Sequence, residues 1–360
     1  MTEFAVTKKD MPGVMPPEEQ LGFGKYFTDH MFTMDYNPQE GWHNPAIVPY
    51  NAFSVLPAAM VFHYGQAIFE GIKAFRTEDG RVVVFRTKDY LRRFNRSADA
   101  LCIPNIDVDL VAEGLKKVVE IDRKWVPKKV GTALYIRPFI IATDPHVGVK
   151  VSSTYKLFIL LSPVGAYYAA GFNPVSIKVE DKYVRATLGG LGEAKTPANY
   201  AMSLRAQEEA KQEGFAQVLW LDAVERRYIE EVGTMNIFFK INGELITPDL
   251  AGSILGGMTR RTVLELAKEW GVNTSERRIS IEEVFAAHEK GELEEVFGTG
   301  TAAVISPVGE LSWKGKKIII NQNQTGPFAQ KLFDAVTGIQ YGKRKDTFGW
   351  VDEVTCLSDE

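Results

Sequence analysis

A lysine behind a glycine-rich run, Gly189-Gly-Leu-Gly-Glu-Ala-Lys-Thr196, is one place in this 360-residue chain where residue type and spacing suggest chemistry. A loop that wraps nucleotide phosphates needs a glycine directly before that lysine and a buried hydrophobic strand ahead of it. Ala194 stands where the glycine belongs, and Tyr183-Val-Arg-Ala-Thr-Leu188 is broken by polar residues. Pro197 follows Thr196 at once, so nucleotide hydrolysis is not expected. Two further segments suggest an anion site. Leu255-Gly-Gly-Met-Thr-Arg-Arg261 opens an amphipathic helix with glycines and a threonine, where unpaired N–H groups and the helix dipole attract phosphate. Gly298-Thr-Gly-Thr-Ala302 offers two hydroxyls and exposed backbone donors after a strand-like Glu295-Val-Phe. Each alone is more often a tight turn with a threonine cap; together they suggest a phosphate-bearing ligand.

Other chemistries have less support. G-x-S-x-G is missing, and the five histidines form neither H-E-x-x-H nor any close pair, so no metal site is expected. Cys102 and Cys356 lie too far apart in sequence to suggest a disulfide framework. A net charge of −4 argues against binding nucleic acid through bulk positive charge. The longest apolar stretch, Leu157 to Leu161, falls well short of the ~20 residues of a membrane-spanning helix. With no signal-peptide pattern at the start, a cytoplasmic protein is expected.

Alternating helix and strand signals predict a mixed α and β protein, and the length suggests two domains. Strands are expected at Val82 to Phe85, Ala133 to Ile141 and Lys156 to Leu161, and helices at Tyr90 to Ala100 and Asp109 to Asp122. The stretch from Pro163 to Pro174, bracketed by prolines and holding Gly165 and Gly171, reads as a connector. The domains are therefore placed at residues 1–165 and 175–360, joined through 166–174. In the second domain a strand is expected at Val175 to Val179 and a helix at Tyr200 to Glu213, closed by Gly214. A hairpin of Gln217 to Leu221 with Arg227 to Ile229 follows, then a strand at Ile237 to Ile241 and a helix at Thr259 to Trp270. Ser280-x-x-Glu283 is a capping box.

Glu193-Ala-Lys-Thr-Pro-Ala-Asn-Tyr200 and Glu230-Glu-Val-Gly-Thr-Met-Asn236 resemble the signatures of class IV, fold-type IV pyridoxal-phosphate enzymes, and specifically of branched-chain amino-acid aminotransferases. The likeness covers nearly the whole chain. Phe23-Gly-Lys-x-Phe-Thr-Asp-His-Met31, His63-Tyr-Gly, Phe69-Glu-Gly71, Arg93-x-x-x-Ser-Ala98, Tyr135-x-Arg-Pro138, Pro163-Val-Gly-Ala-Tyr167, Leu255 to Arg261 and Phe297-Gly-x-Gly-Thr-Ala302 occur in the family's order.

The resemblance implies an α+β fold with a smaller N-terminal and a larger C-terminal α/β domain, and pyridoxal 5'-phosphate as cofactor. Lys195 would form the aldimine with the cofactor and shuttle the substrate proton in a ping-pong cycle. Glu231 would hold the pyridine nitrogen protonated, although pattern alone does not separate it from Glu230. Tyr200 would bond the phenolic oxygen. Arg93 would pair with the phosphate, with Arg92 and Arg96 as neighbours in the same basic run, joined by Thr234, Leu255, Met258, Thr259 and Thr301. Phe23, Tyr64, Phe69, Tyr135 and Tyr167 would line an apolar pocket, Arg137 would take a distal carboxylate, and Thr301 and Ala302 the α-carboxylate.

The substrates implied are L-leucine, L-isoleucine or L-valine, L-glutamate and the matching 2-oxo acids, handled by a homodimer. The rival readings are a D-amino-acid aminotransferase, an aminodeoxychorismate lyase, or a non-catalytic cofactor-binding relative. Ala303 and Ser306 stand where some relatives have a redox-active cysteine pair, so thiol regulation is not expected.

Overall fold

The computed structural model describes residues 4–165 and 172–355. Much of the expected connector, 166–171, lies outside them, as do Tyr167 and Cys356. The chain divides into two compact units, one of Met1–Tyr167, Ala194–Pro197 and Gly338–Glu360, the other of Tyr168–Glu193 and Ala198–Thr337.

In the first unit the strands run, in spatial order, Ala5–Val6, Gly41–Pro49, His30–Asn37, Tyr155–Val164, Ala133–Ala142, Ile72–Arg76, Val82–Phe85 and Val351–Val354, with Ala67–Phe69 also paired to Ala133–Ala142. All neighbours are antiparallel except the first pair. The helices Thr87–Ala100 and Val108–Ile121 bury one apolar stripe each, led by Tyr90, Leu91 and Phe94 in one and Val111, Leu115 and Val118 in the other. Gly114 lets the second of them close on the sheet, since a Cβ there would lie 2.4 Å from the Phe32 ring.

One expectation is corrected here. Residues 338–360 and 194–197, placed by sequence with the second domain, belong to the first unit. Val351–Val354 pairs antiparallel with Val82–Phe85 and completes the sheet edge. Backbone pairing between segments so far apart in sequence leaves no local signal.

The second unit's order is Ile229–Val232, Gln217–Leu221, Val175–Glu180, Val304–Trp313, Leu293–Gly300, Asn236–Ile241, Glu244–Thr247 and Thr274–Glu276, with Lys316–Ile319 beside Val304–Trp313. A tight turn at Val232–Met235, closed by reciprocal backbone hydrogen bonds of 2.9 Å, joins the first strand of that order to the sixth. The sheet must therefore curl round, and Ile177, Leu219, Leu221, Ile237, Phe239 and Leu311 fill a shared core. Of the expected capping box the serine half forms: Ser280 Oγ accepts from the N–H of Glu283 at 3.1 Å, opening helix Ile281–Glu289, while the Glu283 carboxylate pairs with Arg277. Gly271 closes helix Met258–Glu269 with φ +67°.

Candidate active site

In the first unit, helical periodicity decides which arginine of the basic run turns inward. Arg93 and Ser97 lie one turn apart on the buried face of helix Thr87–Ala100, whereas Arg92 is exposed and pairs with Asp89 at 3.3 Å, and Arg96 is exposed. Arg93 makes a two-pronged pair with Glu70, Nε to Oε1 and Nη2 to Oε2, both 2.7 Å. Glu70 is fully buried and Arg93 is 4% exposed. Such a fork fixes the plane of the guanidinium.

Ser97 Oγ accepts from the backbone N–H of Lys195 at 2.9 Å. The Lys195 carbonyl accepts from the N–H of Phe69 at 3.0 Å, and Thr196 Oγ1 donates to the carbonyl of Ala67 at 2.9 Å. Two hydrogen bonds thus fasten the lysine's backbone, to helix Thr87–Ala100 and to strand Ala67–Phe69, and a third ties the neighbouring Thr196 side chain to the same strand.

Around Lys195 stand the residues expected to meet substrate. Its Nζ lies 4.9 Å from the Phe69 ring centroid, and the Arg137 guanidinium lies 4.8 Å from the same ring. Arg137 Nη2 donates to the Tyr135 hydroxyl at 3.0 Å, and the Tyr135 ring meets Phe23 edge-on with centroids 5.0 Å apart. Gly71 is required there, because a Cβ would come within 2.0 Å of the Tyr135 hydroxyl oxygen. Arg137 Nε is buried with no hydrogen-bond partner. Tyr64 stands apart from this cluster: it is 41% exposed, and its hydroxyl donates to the carbonyl of Val147 at the surface. Tyr167 lies outside the described residues.

In the second unit, adjacent strand residues face opposite ways, and this separates the two candidate glutamates. Glu231 is 3% exposed; its Oε1 accepts from the N–H of Leu255 at 2.8 Å and lies 3.4 Å from Arg185 Nη2. Asn236 ties the same turn down, donating from Nδ2 to the Leu255 carbonyl at 2.9 Å. Its Oδ1 comes so close to Gly257 that a Cβ there would lie 2.0 Å away. Gly257 caps helix Met258–Glu269 without a side-chain hydrogen bond, and Met258 and Thr259 form its buried first turn.

Gly298 and Gly300 admit Met235, whose side chain would meet a Cβ at 2.9 and 3.1 Å respectively. Thr301 and Ala302 follow directly, both half-buried. Thr234 is exposed in the Val232–Met235 turn, and Tyr200 is half-buried in the first turn of helix Pro197–Gln212.

Sequence reasoning did not assign Glu70, Lys73 or Arg185 a role. Lys73 is 8% exposed, and burial pulls its pKa down to about 8. Arg185 is 6% exposed and donates to the carbonyls of Gly192, at 3.0 Å, and Ser253. The polar interruption at Tyr183 to Leu188 was its only trace. Gly192 in the near-phosphate-loop run serves packing, since a Cβ would fall 2.2 Å from the Ser253 carbonyl oxygen. No group of three or more metal-ligating side chains occurs among the described residues.

Within the second unit, the buried Glu231 carboxylate suits a pyridine nitrogen, and the start of helix Met258–Glu269, with the buried Thr259 hydroxyl, suits a phosphate; the first unit by itself holds Lys195, an amine on an anchored backbone. The family model described as Amino-transferase class IV matches residues 67–311. The chain is 57% identical, over 99% of its length and 97% of the other's, to branched-chain-amino-acid aminotransferase 2 of Bacillus subtilis (strain 168). It is similar in structure to the Escherichia coli branched-chain amino acid aminotransferase, with TM-score 0.77 and 28% identity, covering 91% of this chain and 99% of that one. A branched-chain amino acid aminotransferase from T.th., solved with pyridoxamine 5'-phosphate, gives TM-score 0.75 at 26% identity, covering 92% of this chain and 100% of that one.

Proposed function

From a chain that belongs to the class IV aminotransferases, and within them to the branched-chain amino-acid aminotransferases, we propose the following division of labour among its residues. The reaction is reversible transfer of the amino group of L-leucine, L-isoleucine or L-valine to 2-oxoglutarate, giving branched 2-oxo acids and L-glutamate. Pyridoxal 5'-phosphate, when bound, supplies an aldehyde for the amino group and an electron-withdrawing ring. Lys195 takes and returns the proton at the substrate Cα, with its backbone held by Ser97 and Phe69 and the next residue, Thr196, held by Ala67. Glu231 holds a proton at the ring nitrogen, and Leu255 and Arg185 keep its carboxylate in place. Tyr200 bonds the phenolic oxygen. Arg93, Thr234, Thr259, Thr301 and the N–H groups at Leu255 and Met258 take the phosphate, while Thr301 and Ala302 also present donors to the α-carboxylate.

The observation that carries this reading is the cluster of Phe23, Phe69 and Tyr135 with Arg137 among them, its Nε buried and unpartnered. Apolar rings suit a leucine side chain, and an orphaned guanidinium N–H suits the distal carboxylate of glutamate when that substrate enters instead. Tyr167 is proposed to complete the wall. A homodimer is proposed from the apolar surface of the first unit, where Phe62, Val147 and Val149 are 62%, 67% and 85% exposed. Among the described residues no helix is long and apolar enough to cross a membrane; a cytoplasmic location is proposed.

The deciding experiment loads the protein with pyridoxal 5'-phosphate and follows the cofactor absorbance on adding L-leucine, then 2-oxoglutarate. Conversion to the aminated cofactor and back is expected, and both are lost in Lys195→Ala. Turnover of D-alanine without any response to L-leucine would overturn the reading.

A further inference from the structure

Glu70 has no part in the division of labour above, yet it is fully buried and ties helix Thr87–Ala100 to strand Ala133–Ala142 within the first unit. Its carboxylate holds Arg93 through Nε and Nη2, both at 2.7 Å, and Oε2 also accepts from the N–H of Gly71 at 3.0 Å. Its own N–H donates to the carbonyl of Pro138 at 2.8 Å, on the strand that carries Tyr135 and Arg137.

Taking two charges out of water is unfavourable and is offset only by good geometry, and well-packed apolar residues often hold a fold as firmly. Stability alone does not account for the pair. Its place does. Phe69, the residue before Glu70, donates its N–H to the Lys195 carbonyl and sets its ring 4.9 Å from Lys195 Nζ. Ser97, one turn beyond Arg93 on the same helix face, accepts from the Lys195 N–H. The fork is therefore built from the immediate neighbours of both residues that anchor Lys195. Because a guanidinium is planar, a carboxylate that engages its Nε and Nη2 edge fixes the direction of the whole group.

We propose that Glu70 is a positioning residue for the cofactor phosphate, holding the Arg93 guanidinium in the plane from which it pairs with that phosphate. The proposal rests on the reading that Arg93 takes the phosphate. Without the fork the arginine keeps its charge but turns among several orientations, and binding must then order it. The effect is greatest while Lys195 is not bonded to the cofactor, when contacts with the phosphate stand in for the covalent link.

The test is calorimetric titration of the cofactor-free chain with pyridoxamine 5'-phosphate and, separately, with pyridoxamine, neither of which forms an imine with Lys195. The ratio of the two affinities isolates the share due to the phosphate. Glu70→Gln is similar in volume and still offers one acceptor; it should lower that ratio about tenfold, whereas a purely structural loss would weaken both ligands alike. Glu70→Asp keeps the charge on a shorter stem; it should shift the ratio the same way and decides alone if Glu70→Gln does not fold. In Glu70→Gln with Arg93→Met, where neither charge is left buried alone, the ratio should equal that of Arg93→Met by itself. An unchanged or raised ratio in the Glu70 variants, or the same further loss when Arg93 is already replaced, would overturn the proposal and leave Arg93 at the phosphate. An unchanged ratio in Arg93→Met would overturn the reading beneath it, and the proposal with it.

Discussion

The row of the first unit proposed to meet substrate and the proposed Glu231 cofactor cradle of the second differ in what they leave unsatisfied. Lys73, Tyr135 and Ser162 stand directly opposite one another on three adjacent strands, with Arg137 two residues along. Here Ser162 Oγ and Arg137 Nε are buried without hydrogen-bond partners, and Lys73 is desolvated enough to shift its pKa. Glu231, by contrast, already receives a backbone N–H at 2.8 Å and an arginine at 3.4 Å. A surface that must accept a leucine side chain at one moment and a carboxylate at another gains from polar groups the protein leaves unmet. A surface proposed to hold one cofactor throughout gains from being satisfied in advance, since preorganised groups need no rearrangement during reaction.

The comparison can be broken most severely at Lys195, the amine proposed to carry the transfer. Lys195→Ala should lower the rate of amino transfer from L-leucine by about 10⁴-fold, read in single-turnover absorbance, with urea stability close to wild type. Retention of the wild-type rate would remove the lysine from its role. Next in size is Glu70→Ala, which takes the paired carboxylate away from the buried Arg93 guanidinium. Losing one partner of a buried pair should cost about 3–5 kcal/mol of stability in urea unfolding. A loss below about 1 kcal/mol would mean that the fork is no more than a surface-type pair.

Arg137→Met sharpens the contrast between the two substrates. The kcat/KM for 2-oxoglutarate should fall about 100-fold, whereas the L-leucine half-reaction should change about tenfold or less. Equal losses for both would show that the orphaned N–H does not serve the distal carboxylate. The smallest effect is expected at Lys73. Its pKa lies near 8 in the folded chain against 10.5 ordinarily, so between those values the unfolded chain binds more protons. Stability should therefore rise with pH across that window, by no more than roughly 3 kcal/mol. Lys73→Met should flatten that slope, as chemical unfolding at pH 7.5 and pH 10 would reveal.

Much of the molecule was legible without coordinates. Strand Val82–Phe85 and strand Gln217–Leu221 lie where alternation and flanking turns put them, and helix Met258–Glu269 begins one residue from its expected start. These are local properties, written in periods of two and 3.6 residues. The motif that holds Lys195 was legible too, but its anchors were not: Ser97 lies 98 residues from Lys195, and Ala67 129 from Thr196. The glycine run before Lys195 reads as phosphate chemistry in one dimension, yet Gly192 is there because the Ser253 carbonyl passes close by.

The residue types, their order and the spacing of each helix and strand were determined by the sequence alone, because backbone sterics and amphipathic periodicity act over a few residues. Which of Glu230 and Glu231 meets the Leu255 N–H, which arginine of Arg92, Arg93 and Arg96 is buried, and that the last strand joins the first sheet were decided only by the tertiary structure. Each depends on a partner that folding brings from elsewhere in the chain, and in a buried site that partner sets the electrostatics of the group it meets.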